Sequence, residues 1–135
     1  WRGRNSVTDA PRVLLDFLRA QAGIVALTGT RLWAEAREPA PNYRPADGAA
    51  LAFALRGGLP DYSGAHLQAS VQLKCYGRDE DEAQQLYRAL YDVLHEHAGL
   101  GVKAALCESL GITLAEPETG WPFVLTYFRV WLAAN

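Results

Sequence analysis

At 135 residues, half of them hydrophobic and 21% charged, with a formal net charge of −2, the chain has the composition of one soluble globular domain. That balance excludes a disordered body, and it excludes a protein whose main task is to grip phosphates, which would be strongly basic. No run approaches the ~18 apolar residues of a membrane span and no signal-peptide pattern opens the chain, so folding in a cytoplasm with no membrane partner is expected.

A chain that opens on Trp1 and has no methionine is expected to lack its translated start. Residues 1–8 read as an arm or remnant ahead of a single domain over 9–135. Asp9 and Pro11 form a helix start, with Asp9 as the N-cap and the proline in the first turn. Val13, Leu14, Phe17 and Leu18 make one apolar stripe at helical spacing. Gly23 is the expected stop, and Ile24, Val25 and Leu27 begin a second short turn that Gly29 ends. A short strand follows at Leu32 to Ala36. The segment REPAPNYRPADGA (37–49) has three prolines and no periodicity, which predicts a loop.

A second strand is predicted over Ala50 to Arg56, and GGLPDYSGA (57–65) connects it as a hairpin to the third. From His66 the alternation is strict: Leu67, Ala69, Val71, Leu73 and Cys75 share one face, and Gln68, Ser70, Gln72 and Lys74 the other. Gly77 breaks it. Asp79 to Glu82 are four acids at a helix start, where the dipole favours them, and Asp79 with Glu82 has capping-box spacing. The helix carries the stripe Ala83, Leu86, Leu90 and Leu94 and ends near Gly99 and Gly101. A further strand is predicted from Leu106 to Ala115, then the turn EPETGWP. The closing FVLTYFRVWL is apolar on both faces except Thr126 and Arg129, as in a central strand. Two helices on a mainly antiparallel sheet of four or five strands, in the order α-β-β-β-α-β-β, make a two-layer α+β domain.

Catalytic signals are weak. His95 and His97 lie two residues apart on a helix, about 200° around it, and do not share a metal at that spacing. His95 is placed on the wet side. Cys75, on the apolar face of its strand, is expected reduced and buried. A small enzyme pairing Cys75 or Cys107 with a histidine is the reading from another class. No phosphate-binding loop, nucleophile elbow or zinc-ligand spacing occurs, and neither a cofactor nor a metal is expected. The candidate contact residues are aromatics in turn-rich segments, Tyr43, Tyr62 and Trp121, with Arg44 beside the first. For the three aromatics, packing over the sheet edge is the competing reading. Core packing accounts for Trp131. Tyr87 and Tyr91, four apart on the acidic helix, broaden its apolar face and hint at a second surface covering it.

The helix leading to VALTGTRLW, the Pro-rich loop, LAFALRGG, the alternating VQLKCYG, the acid-started EAQQLYRALYDVL and the closing ETGWPFVLTYFRVWL come in a particular order. In that order and spacing, over roughly residues 10–132, the chain resembles the tail completion proteins of tailed phages, also called tail terminators, which occur too in prophages and gene transfer agents. The resemblance implies a virion protein and not an enzyme: a small α+β subunit forming a ring, commonly hexameric, at the end of the tail tube. Its implied partners are further copies of itself, the major tail tube protein and the head connector, with DNA passing through the lumen unread. By position, the implied contact loops are 37–49 and 57–65. Another neck adaptor or a tube-like component of the same particle is the alternative.

Overall fold

The computed structural model describes residues 10–34, 39, 41–60, 66–95 and 102–133. Helix α1 (Ala10–Arg19) buries Leu14, Phe17 and Leu18 along one stripe. Asp9, the expected cap, lies outside the described residues. The helix stops at Ala20 and Gln21, whose N–H groups bond back to the Phe17 and Leu18 carbonyls, and α2 (Ala22–Thr28) begins at once. Gly23 is therefore inside a helix and not its stop, because those turn bonds break α1 three residues earlier. Gly29 ends α2 as expected, its N–H donating to Val25 O at 2.8 Å.

Strand β1 (Leu32–Ala34) leads into the Pro-rich segment, which contains a single 3-10 turn at Pro45–Asp47. Strand β2 (Ala50–Pro60) runs past its expected end at Arg56 by shifting register between Leu55 and Gly58, a bulge that glycine accommodates. It forms the expected hairpin with β3 (His66–Tyr76); the tip, 61–65, lies outside the described residues. Helix α3 (Glu80–Leu94) starts at Asp79, whose carboxylate accepts the Glu82 N–H at 2.8 Å. The return half of the capping box is displaced by one residue, since the Glu82 carboxylate takes the N–H of Arg78 at 2.8 Å. Strand β4 (Val102–Ala115) begins four positions before the predicted Leu106, and β5 (Pro122–Ala133) closes the chain.

The five strands lie in the order β1-β2-β3-β5-β4. β1 pairs with β2 in parallel and every other pair is antiparallel. β5, apolar on both faces, is paired on both sides, which explains its composition. The helices cover one face, where Leu51, Phe53, Val71, Leu73, Cys75, Val124, Phe128 and Val130 meet Phe17, Leu18, Leu86 and Leu90 in one core. The molecule is thus a two-layer α+β domain with three helices where two were expected, the short α2 being the addition. No described helix is long and apolar enough to cross a membrane.

α3 ends at Leu94, so His95 is its C-cap and not a wet-side helix residue. Freed from the helical path, the imidazole folds back on the sheet: it stacks on Tyr91 with centroids 4.6 Å apart, and its Nδ1 accepts the Cys107 N–H at 3.0 Å. Farther along, α3 comes close enough to β4 that Gly111 has no room for a side chain. A Cβ there would lie 2.5 Å from Val124 Cγ1 and 3.0 Å from the Tyr87 ring.

Two glycine substitutions should therefore act in opposite directions. Gly111→Ala is expected to cost about 1–3 kcal/mol by overpacking. Gly23→Ala, exposed in α2 with nothing within 4 Å of the added methyl, should gain about 0.5–1 kcal/mol. Denaturant unfolding of both variants beside the parent measures the two signs.

Candidate assembly face

Alternation along β4 runs opposite to the usual sense. Cys107, Gly111 and Thr113, small or polar, take up helix-side positions, with the strand's register shifting on both sides of Ser109; Leu106, Leu110, Ile112 and Leu114 point away from the helices and stand 44%, 70%, 55% and 41% exposed. The inner row is satisfied where it lies. Thr113 Oγ1 accepts from Gln84 Nε2 at 2.8 Å, and Ser109 O accepts from the Thr126 hydroxyl at 2.7 Å. An amphipathic strand with its apolar row in water, on the outermost strand of a sheet, is a surface built to be covered.

Beside this row the outer face of the sheet is polar and tied across strands. Glu108, between Leu106 and Leu110, accepts from Arg129 Nε and Nη2 at 3.1 and 2.8 Å and from the Ser70 hydroxyl at 3.0 Å, linking β3, β5 and β4. Arg56 lies over the Tyr127 ring, 4.5 Å from its centroid. Gln72 and Trp131 are half-buried on the same face. Trp131 is thus an outer-face residue and not a core one, since even positions of β5 face the helices and odd positions face away.

One end of the outer face is closed by the chain between β1 and β2. Tyr43 is 3% exposed, its ring against Trp33, Tyr76 and Trp121 at 5.4, 6.2 and 5.8 Å, above Ala50, Ala52 and Phe123. Its hydroxyl donates to Gly48 O at 2.7 Å. Arg31 anchors the same segment from below, Nε donating to Ala49 O at 2.9 Å. Sequence reading passed over Arg31, because nothing local marks an arginine that bonds eighteen residues away. Burial pushes the Tyr43 phenol up to about 12; the nearby Arg31 charge opposes this, and Glu82 and Asp47 add to it.

The candidate contact residues are thus distributed, not gathered. Tyr43 packs inside the subunit, while Arg44 beside it is exposed. Trp121 is half-buried at the edge of the aromatic cluster. Tyr62 lies outside the described residues. Tyr87 is buried against β4, and Tyr91 is half-buried between His95 and Phe128, so the widened apolar face of α3 meets its own sheet. What the sequence did not flag is the outward row Leu106, Leu110, Ile112 and Leu114. Its only local signal is the alternation itself, which normally marks a core face.

The cysteines are both free thiols. Cys75 is fully buried, which pushes its thiol well above the ordinary range and makes it a poor nucleophile. The Cys107 thiol lies 3.4 Å from Ser109 O, while the histidine beside it receives the Cys107 backbone N–H at Nδ1. Among the described residues no three His, Cys, Asp or Glu converge as metal ligands would.

Tyr43→Phe removes the bond to Gly48 and should cost about 1 kcal/mol near neutral pH. The unfolded chain releases this proton near 10.0 and the native state only near 12. Through that window the native state holds more protons, so stability falls as pH rises, by about 1.4 kcal/mol per pH unit, and is unaffected below it. Urea unfolding across the alkaline range should show this slope in the parent and its loss in Tyr43→Phe.

Neither a protein-family model nor a curated protein sequence matches the chain. Among solved structures, a chain of the virion of a native gene transfer agent particle has the same fold at 17% identity, with a TM-score of 0.64 over 91% of this chain and 93% of that one.

Proposed function

We propose that this chain is a structural protein of a phage-like particle, one subunit of a ring that caps the tail tube and joins it to the head connector, with DNA passing through the lumen. The observation that carries the reading is the outward apolar row of β4. Full burial of such a side chain is worth about 1.5–3 kcal/mol, and roughly half of that is still to be gained at each of these half-exposed positions. The likeness of fold to a chain of a gene transfer agent virion, over nine-tenths of both chains, supports the particle context.

Ring closure joins two different patches head to tail, and the β4 edge with its leucine row supplies one of them. Exposed Arg44, half-buried Trp121 and Tyr91, Tyr62 and the segments 37–49 and 57–65 are assigned to contacts with neighbours, tube and connector. A net charge of −2 suits a channel that DNA crosses without being held. In this reading β4 does the assembling, and no residue performs catalysis.

Native mass measurement and electron microscopy of the purified protein, alone and with tail tubes, test the proposal. The parent should form a closed ring, commonly of six subunits, and Leu110→Glu with Ile112→Glu should give folded monomers, since both positions are exposed. Deleting the gene in a producing strain should leave heads and tails unjoined. A parent that stays monomeric at high concentration and ignores tail tubes would overturn the ring. Labelled protein found along the tube, and not at the head–tail joint, would assign it to another component.

A further inference from the structure

The β4–β5 turn and the Pro-rich segment enclose an open groove of about 390 Å3 at the end of the sheet, lined by Pro39, Pro41, Glu116, Pro117, Glu118, Thr119 and Trp121. Its walls are proline rings and an indole, and the charged side chains among its described lining residues are two carboxylates. We propose that this groove receives a cationic side chain, arginine or lysine, carried on an extended segment of a partner protein. This deepens the assembly reading, on which it rests for its biological setting, by giving one contact surface a partner of stated chemistry.

The groove is built before anything enters it. Gly120, at φ 74°, turns the backbone through a left-handed position that other residues rarely adopt. Its N–H donates to Glu116 O at 2.7 Å, and the Glu116 N–H donates to Trp121 O at 2.9 Å. Trp121 is held edge-on by Tyr43, with ring planes at 89°. The two acids have different tasks. Glu116 is engaged within the subunit, accepting the Tyr76 hydroxyl at 2.6 Å and lying 3.6 Å from the Lys74 ammonium. Glu118 is exposed and has no partner among the described residues, so it is the carboxylate left to address a ligand.

That chemistry selects the occupant. A cation gains from the Glu118 carboxylate. An extended backbone packs on prolines as other polyproline-type ligands do on aromatic and proline walls. An acidic segment meets the unpartnered Glu118, the Lys74 ammonium being taken up by Glu116.

Two short proline-containing peptides, one with a central arginine and one with glutamate in its place, serve as probes, with the indole N–H resonance of Trp121 as the reporter on the intact protein. The arginine peptide should shift that resonance with a millimolar dissociation constant that weakens with added salt. Glu118→Gln, in an exposed turn, should weaken it about threefold with the spectrum otherwise unchanged. Equal shifts from both peptides, no shift at millimolar concentration, or full binding by Glu118→Gln would each overturn the proposal. None of these outcomes depends on whether the protein forms a ring on a tail tube.

Discussion

The contact between Tyr87 and Gly111 is the constraint from which the rest of the subunit follows. α3 presents a tyrosine-widened face to β4, and a ring of that size leaves room on the opposing strand only for small side chains. Cys107, Gly111 and Thr113 meet that requirement, with the Thr113 hydroxyl bonded to Gln84 and the backbone of Cys107 and Ser109 bonded to His95 and Thr126. Because strand side chains alternate, filling the inner row with small residues sends Leu106, Leu110, Ile112 and Leu114 outward. The exposed row is therefore a consequence of how the inner one packs.

The outer face divides accordingly into three regions of different chemistry. At one end Tyr43 and its ring partners close the sheet and hold Trp121 in place. In the middle, Glu108, Arg129, Ser70 and the Arg56–Tyr127 pair form a polar ladder that is largely satisfied within the subunit. Exposed ion pairs of this kind add little stability, so their value lies in fixing side-chain geometry across three strands. Along the outermost strand stands the apolar row. A partner laid on this face would find its affinity at the row and its register at the ladder.

Much of the framework was legible because local rules and the fold agree. The alternation from Leu67 to Cys75, the cap at Asp79, the stop at Gly29 and the two-sided apolar character of β5 each state their role without knowledge of distant residues. Elsewhere the structure departs from the local rule. Gly23 was read as a stop, but turn bonds at Ala20 and Gln21 end the helix first. Tyr43 sits in a Pro-rich segment and looks like a surface aromatic, yet Arg31 and Gly48 draw that segment down over the sheet. The outward row of β4 is not marked locally, because period two says which residues share a side and nothing about which side is buried. The partner that decides Tyr43's place, Arg31, is twelve residues away from it in sequence and bonds Ala49 eighteen residues from itself.

The parallel pairing of β1 with β2 has a consequence for the order of events in folding. β2–β3 and β4–β5 are antiparallel neighbours in sequence, so their ladders close over short loops. Among the described residues β1 contributes three, and Leu32 must find Leu51 across the whole Pro-rich connection. Such a contact carries a larger loop-closure cost and few bonds to offset it, which places it late on the pathway. The same imbalance makes it an early point of opening in the native state. Tyr43 and the proline wall of the groove are carried on that connection. That end of the sheet is therefore held more by Tyr43 with its ring partners and by the Arg31 bond to Ala49 than by strand pairing.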